Sequence, residues 1–138
     1  MDIGLALLDF RFRNKPLLIG GKAMEHYGSR KAGADIDLVA SPEDHARLVE
    51  RYPAHVKDVY GDIGVIHGVF EVWNTLCTFD YATLVSGAVE ESDHLAVAID
   101  KLLMLKAMAM QSGQKSRQDA ELIGNFIRNQ AYARKYQT

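Results

Sequence analysis

Apolar residues recur along the chain in two patterns, helix-spaced sets and short runs, and the two alternate. Helix spacing puts apolar side chains on one face, whereas a short apolar run bounded by glycine or proline is typical of a buried strand. From these patterns we predict a helix over 2–13, a strand over 16–19, a helix over 22–27, a strand over 35–39 and a helix from 42 to about 51. The helix over 22–27 closes at Gly28, and Ser41 with Pro42 forms a typical helix start.

The second half of the chain begins with β-branched and aromatic residues and ends with helix-spaced apolar residues. We predict two or three short strands within 55–78, a short helix capped by Asp80, a strand over 94–98, a helix to Met110 that Gly113 breaks, and a helix over 116–135. This order favours an α+β fold, with a small mixed sheet flanked by helices and with C-terminal helices. We expect one domain over 1–138, with a core at about 14–90 and a C-terminal helical part at about 98–136.

Composition and charge narrow the classes of protein. The formal net charge of -2 argues against a general nucleic-acid coat but leaves room for a nucleotide ligand. The single cysteine, Cys77, cannot form an intrachain disulfide, and its apolar surroundings predict a buried structural thiol. The sequence has neither a secretory leader pattern nor an uncharged run of about 18 residues, so we expect a cytoplasmic protein with no membrane partner.

The chemistry is suggested first by acids two residues apart. Such pairs occur at Asp35/Asp37, Glu91/Asp93 and Asp119/Glu121. Only Asp35 and Asp37 lie in a strand-like context, where both carboxylates share one face while Ile36 enters the core. Carboxylate oxygens suit Mg²⁺ or Mn²⁺. The alternative is a solvated strand face at a sheet edge.

A glycine turn precedes this strand by one helix. Gly20 and Gly21 carry no side chain, so a phosphate can approach the backbone N–H groups at the start of the next helix, where Lys22 adds a cation. The alternative is a turn with no ligand. A phosphate site and a metal pair on adjacent strands would together hold a nucleoside triphosphate and its metals.

The stretch from residue 17 to 40 combines these features with a helix that ends in glycine and a basic linker. It resembles the signature of the DNA polymerase β-like nucleotidyltransferase superfamily, and it is most similar to the small bacterial branch of minimal nucleotidyltransferases and AbiE-type toxin components. The resemblance is weaker beyond residue 40. It implies that Asp35 and Asp37 bind the divalent metals and that Gly20 and Gly21 contact the triphosphate.

The resemblance also implies a third catalytic and metal-binding carboxylate on a later strand. Glu71 is the best candidate, because an acid within an apolar strand is costly unless it is paired or metal-bound. Asp62 and Asp80 remain alternatives, and Glu71 itself could face outward at an edge. Two departures from the pattern are Gly21, where many relatives carry serine, and Glu71, which is longer than the usual aspartate.

Basic residues complete the predicted site. Arg30 and Lys31 precede the aspartate pair and can neutralise phosphate charge, or else belong to a solvated basic turn. Lys106 interrupts an apolar helical face and is a candidate for nucleotide binding. Its alternative is an ion pair with Asp119 or Asp100.

These features predict a Mg²⁺- or Mn²⁺-dependent, ATP-binding type of enzyme that moves a nucleoside monophosphate from a nucleoside triphosphate to a hydroxyl acceptor. The acceptor, whether RNA such as a tRNA end, a protein or a small molecule, cannot be read from any residue. One alternative is an inactive nucleotide-binding or protein-interaction module of the same fold, which the branch resemblance connects with toxin–antitoxin systems. Another is a purely structural α+β protein.

Overall fold

The computed structural model describes residues 2–109 and 113–136. Its elements within those residues are, in chain order, β1 (Leu17–Ile19), α1 (Gly20–His26), β2 (Ile36–Val39), α2 (Pro42–Arg51), β3 (Val56–Val59), β4 (Asp62–His67), β5 (Phe70–Trp73), β6 (Thr75–Leu76), β7 (Phe79–Asp80), α3 (Tyr81–Leu84), β8 (Val89–Glu90), β9 (Leu95–Ala96), α4 (Ile99–Met108) and α5 (Gln114–Tyr136). Short 3-10 turns occur at Leu5–Leu7 and Pro53–His55.

Seven of the strands form one mixed sheet in the order β3-β4-β5-β2-β1-β9-β8, and β6 pairs with β7 in a separate hairpin. β1 is antiparallel to β2, whereas β2 is parallel to β5 and β1 is parallel to β9. The predicted α+β class, a mixed sheet with helices and a C-terminal helical part, is confirmed.

The central strands β1, β2 and β5 supply the core. Leu17, Leu38 and Val72 are buried there, and the helices cover them with apolar side chains that include Met24, Leu48, Leu102 and Ile123. Burial of apolar surface is the main favourable contribution to folding. A carboxylate on one of these strands is therefore costly unless it is paired, protonated or bound to a metal.

Three predicted helix ends, at Gly28, Ser41 and Asp80, are confirmed. After α1, Gly28 has a left-handed backbone (φ 72°), its N–H donates to Glu25 O at 2.9 Å, and the Ser29 N–H donates to Met24 O at 2.9 Å. These two bonds make a Schellman ending, for which glycine is the favoured residue. At the start of α2, Ser41 Oγ accepts from the Asp44 amide at 3.3 Å, and Asp80 accepts from the Thr83 amide at 3.0 Å before α3.

The predicted helix over 2–13 is wrong. Only the 3-10 turn Leu5–Leu7 forms, because distant carboxylates bind this segment's backbone amides. Asp93 accepts from the amides of Ile3 at 3.2 Å and Leu5 at 3.3 Å. Asp44 accepts from the amide of Arg13 at 3.0 Å. Helix-like apolar spacing here reflects the burial of Leu5 and neighbouring side chains in an irregular segment.

Other element boundaries shift. The segment 55–78 contains β3, β4, β5 and β6, one strand more than predicted, and the exposed edge strand β8 was not predicted. Gly20 and Gly21 are the first residues of α1 rather than a turn before it. α5 begins at Gln114, two residues earlier than predicted. The predicted end of α4 at Met110 lies outside the described residues.

Cys77 is exposed, so the prediction of a buried thiol is wrong. It lies in the tight turn between β6 and β7, where Cys77 and Thr78 both have positive φ (49° and 69°). A two-residue hairpin of this type points its turn side chains outward. None of the helices in the described ranges is both long and apolar enough to cross a membrane.

Candidate functional site

Asp37 and Glu71 lie side by side on the two parallel central strands. Asp37 on β2 is the register partner of Glu71 on β5, and partners in a sheet project their side chains to the same face. The two carboxyl groups adjoin, and a hydrogen bond between them is one of the causes that raise the pKa of Asp37. Two ionised carboxylates cannot hydrogen-bond to each other, so such a bond exists only while one of them is protonated.

The pKa of Asp37 is raised to about 7, first by burial and then by the hydrogen bond to Glu71 and the negative charges of Glu71 and Asp35, whereas Lys106 lowers it. Within the described part of the chain, Asp37 Oδ1 is buried and has no hydrogen-bond partner. A carboxylate with these properties near neutral pH is a common feature of functional sites. At Asp37, burial and the neighbouring acids outweigh the one cation, Lys106, that stabilises the ionised carboxylate.

Gly20 packs directly against Asp37. The residue before it, Ile19, is opposite Asp37 in the antiparallel pair of β1 and β2. A Cβ at Gly20 would overlap Asp37 Oδ2 and would lie 3.2 Å from both Cβ and Cγ of that residue, and Gly20 also has φ +66°. The predicted aspartate and the predicted glycine bend therefore share one location.

A cavity of about 190 Å³ opens beside Asp37. It is lined by Gly21, Arg30, Gly33, Asp35, Asp37, Lys106, Lys115 and Ser116. A larger and more open concave surface, about 750 Å³, lies between the N-terminal segment and α2 and contains none of the predicted site residues. We assign the chemistry to the smaller cavity, because it holds both predicted aspartates and three lysine or arginine side chains.

The cations of the cavity are organised by Asp119 on α5. Asp119 accepts from Arg30 Nε at 2.7 Å and Nη2 at 2.9 Å, and from Lys106 Nζ at 2.8 Å. Burial raises the pKa of Asp119, but the bonds from Arg30 and Lys106 outweigh it and leave the pKa below its ordinary value. The bond to Asp119 in turn raises the pKa of Arg30. The alternative ion pair of Lys106 with Asp119 is confirmed.

Asp119 was not predicted as part of the site, and neither were Lys115 and Ser116. A signal for Asp119 was present, since it lies one helical turn before Ile123, and both are almost fully buried. An acid on the apolar face of a helix requires a cationic partner. The sequence offered Lys106 as its partner, whereas Arg30 lies 89 positions away and cannot be read from local spacing.

Gly20 and Glu71 adjoin Asp37 but are not in the described lining of the cavity, and the remaining predicted residues lie outside that lining as well. Lys22 pairs with Glu25 on α1 at 3.7 Å, and Lys31 is exposed. The alternatives to Glu71 serve turns: Asp62 accepts from the Cys77 amide at 2.9 Å, and Asp80 caps α3. Of the three carboxylates considered for the later strand, the structure brings Glu71 to Asp37.

The acids fit a divalent cation in their chemistry. Hard oxygen donors are the ligands that Mg²⁺ and Mn²⁺ prefer, and a cation would relieve the repulsion that raises the pKa of Asp37. The unpartnered Asp37 Oδ1 is an available donor. Across residues 2–109 and 113–136, no three His, Cys, Asp or Glu side chains already stand in an arrangement that would hold a metal ion.

Comparisons with known proteins find no counterpart. No family model matches the chain, and no match is found among curated proteins or among solved structures. Function is therefore argued from the chain's own residues and their geometry.

Proposed function

We propose that the chain is a metal-dependent nucleotidyltransferase, which moves a nucleoside monophosphate from a nucleoside triphosphate to a hydroxyl acceptor. The observation that carries the proposal is the position of Asp37, which is the register partner of Glu71 and packs against Gly20. It puts an acidic pair and a bare backbone bend within contact of each other. The resemblance of residues 17–40 to the nucleotidyltransferase signature supports the same reaction.

Asp35, Asp37 and Glu71 are the residues that would hold the divalent cation. When bound, Mg²⁺ or Mn²⁺ supplies an acidified acceptor hydroxyl and charge stabilisation for the phosphates. In the protein alone, burial of Asp37 and then the neighbouring Glu71 and Asp35 raise its pKa to about 7, which favours a bound proton up to near-neutral pH. Its ionised form is therefore available to a cation only at the cost of releasing that proton.

Arg30 and Lys106 are suited to the triphosphate. Both line the cavity next to Asp35 and Asp37, and both are partly exposed there. A guanidinium matches two phosphate oxygens at once, and an ammonium with three protons can donate to Asp119 and to a phosphate. Gly21 has no side chain between its backbone and the guanidinium of Arg30. A Cβ at Gly21 would lie 3.5 Å from both Nη atoms of Arg30.

A second candidate function is a nucleotide-binding module without turnover. The observation that favours it is the departure from the family pattern: Gly21 offers no hydroxyl, and Glu71 is longer than the usual aspartate. In this reading the cavity binds a triphosphate and regulates contact with a partner protein, such as in a toxin–antitoxin pair. A nucleotide that binds but is not consumed with RNA, protein or small-molecule acceptors would favour the module.

Release of pyrophosphate from labelled nucleoside triphosphates, with Mg²⁺ or Mn²⁺ and a panel of acceptors, tests the enzyme. We expect Asp37→Asn to lower turnover by at least about 10²-fold, with an unchanged or higher melting temperature because a strained acid is removed. The exposed Glu50→Gln on α2 is the charge-matched control and should turn over like the wild type. Unchanged turnover in Asp37→Asn would contradict the proposal.

A further inference from the structure

We infer that Asp119 is a positioning residue for the proposed reaction: from the last helix, it orients Arg30 and Lys106 so that both cations face the triphosphate. The inference deepens the proposed function and rests on it. Asp119 touches neither substrate nor metal in this scheme. It acts through the two cations.

The geometry fixes both cations relative to each other. Asp119 Oδ1 accepts from Arg30 Nε, while Oδ2 accepts from Arg30 Nη2 at 2.9 Å and from Lys106 Nζ at 2.8 Å. A two-bond fork fixes the plane of a guanidinium as well as its distance. Because Oδ2 is shared, the ammonium of Lys106 is held next to that plane.

The side chains of the two cations are more exposed than that of Asp119, as a positioning role requires. The side chains of Arg30 and Lys106 are 21% and 17% exposed, whereas that of Asp119 is 3% exposed. The carboxylate is thus shielded while the cations reach the cavity surface. Within this cluster of Arg30, Lys106 and Asp119, two positive charges against one negative charge leave a net positive charge on the side of the cavity that would take a phosphate.

Lys106 links Asp119 to the acidic pair. Its charge lowers the pKa of Asp37, so the ammonium interacts with carboxylates on both sides. Without Asp119, the flexible lysine would be drawn toward Asp35 and Asp37, where it would compete with the divalent cation. Asp119 therefore keeps Lys106 on the phosphate side of the cavity.

The same carboxylate anchors α5 at the cavity. Lys115 and Ser116 precede Asp119 by four and three residues, so all three share one face of the helix, and Lys115 and Ser116 line the cavity. Ser116 brings a hydroxyl to a cavity whose glycine bend lacks one. The anchoring of α5 by Asp119 thus also sets the position of Lys115 and Ser116.

Steady-state kinetics with Asp119→Asn test the inference. We expect kcat to fall by roughly 10- to 100-fold, while KM for the triphosphate changes by less than about threefold or decreases, because one negative charge is lost. Exposed Glu121→Gln, two residues further along α5, makes the same charge change and should leave both parameters at the wild-type level.

Asp119→Asn also removes a buried partner, so its thermal melting is measured in parallel. If it does not fold, Asp119→Glu replaces it, since this variant keeps the charge but moves the carboxylate by one methylene and so disturbs the fork to Arg30. The same fall in kcat at nearly constant KM is expected. Binding of a non-hydrolysable triphosphate, measured by calorimetry without metal, should stay within about threefold of wild type in either variant.

The outcomes separate the inference from the proposed function. Kinetics of Asp119→Asn or Asp119→Glu equal to those of Glu121→Gln would overturn the inference while the wild type still turns over. A rise in KM with constant kcat would also overturn it, since that result indicates ground-state binding alone. A wild type that neither binds nor consumes triphosphates removes the proposed function, and the inference with it.

Discussion

Gly20 and Asp37 occupy adjoining positions so tightly that a side chain at position 20 would overlap the Asp37 carboxylate. The backbone imposes a second requirement, because φ at Gly20 is +66°, a region that residues with a Cβ seldom adopt. The two constraints are independent, and glycine alone meets both. The contact joins the start of α1 to the acidic pair on β2 and β5.

Gly20→Ala should therefore damage both stability and the site. We expect the free energy of unfolding to fall by about 1–3 kcal/mol because of the strained backbone. We also expect Mn²⁺ affinity and turnover to fall, because the new side chain displaces Asp37. Urea unfolding and Mn²⁺ titration measure the two effects. Gly124→Ala in α5 is the control: outside its chain neighbours and the nearby backbone of its own helix, no described atom lies within 4 Å of its Cβ position, so stability should rise by up to about 1 kcal/mol. Equal behaviour of the two variants would contradict the close contact.

The raised pKa of Asp37 predicts how the stability of the metal-free protein depends on pH. Its pKa is about 7 in the folded protein, against an ordinary value of 3.8 in the unfolded chain, so the folded state holds one more proton between these values. Stability from this group is fully present below pH 3.8 and is lost as pH rises toward 7. Asp37→Asn removes this dependence.

We expect wild type to lose about 1–2 kcal/mol relative to Asp37→Asn between pH 5 and pH 8, allowing for solvent screening at a partly exposed group. Subtracting the stability of one protein from that of the other cancels the titrations that both share. One of these is the titration of His45, because burial lowers the pKa of that residue. Thermal unfolding at several pH values measures the difference. Addition of Mn²⁺ at pH 8 should raise the stability of the wild type but not that of Asp37→Asn. Parallel pH profiles for the two proteins would refute the assignment.

Local signals predicted the parts of the fold that depend on neighbours in sequence. Gly28, Ser41 and Asp80 mark helix ends by their own backbone or side-chain chemistry, and all three are confirmed. The N-terminal segment was mispredicted because Asp44 and Asp93, remote in sequence, bind its amides. No local pattern contains that information.

The same distinction applies to the site. Asp37 and Gly20 were found because a strand and a glycine bend leave a clear local pattern, and the sheet register then brings them together. Asp119 was missed as a site residue because it meets Arg30 across 89 positions of sequence. Cys77 was mispredicted since apolar neighbours suggested burial, whereas the hairpin turn exposes it.

Glu71 should be the later carboxylate on which turnover depends. It contacts Asp37, whereas Asp62 holds the turn after β6 through Thr75 Oγ1 at 2.6 Å and the Cys77 amide at 2.9 Å. We expect Glu71→Gln to lower kcat by at least about 10²-fold with the fold retained. Asp62→Asn should instead cost about 1–3 kcal/mol of stability with kcat nearly unchanged.

Pyrophosphate release and urea unfolding, measured on both variants, check this assignment. Asp80→Asn is a further control, because it removes only the cap of the short helix α3 and should cost about 1 kcal/mol. If Asp62→Asn rather than Glu71→Gln lost turnover while remaining folded, the third carboxylate would be misassigned.

Asp44 should be a major determinant of stability, although it lies outside the cavity lining. It is fully buried and accepts from the amides of Arg13 at 3.0 Å and Asn14 at 2.9 Å and from the side chain of Arg47. We expect Asp44→Asn to lower the free energy of unfolding by about 2–4 kcal/mol at pH 7. Exposed Glu43→Gln, its neighbour on α2, should change it by less than about 0.5 kcal/mol.

The pH dependence of this loss tests the cause. Burial raises the pKa of Asp44, but the bonds from Asn14, Arg13 and Arg47 outweigh it and hold the pKa below its ordinary value of 3.8. A lowered pKa contributes stability above the unfolded value that is lost as pH falls through the folded value. The gap between wild type and Asp44→Asn should therefore be constant from pH 5 to 8 and narrow below pH 4, as urea unfolding would measure. A gap that does not narrow in acid would mean that Asp44 contributes through packing, and that the N-terminal segment is held by its apolar side chains instead.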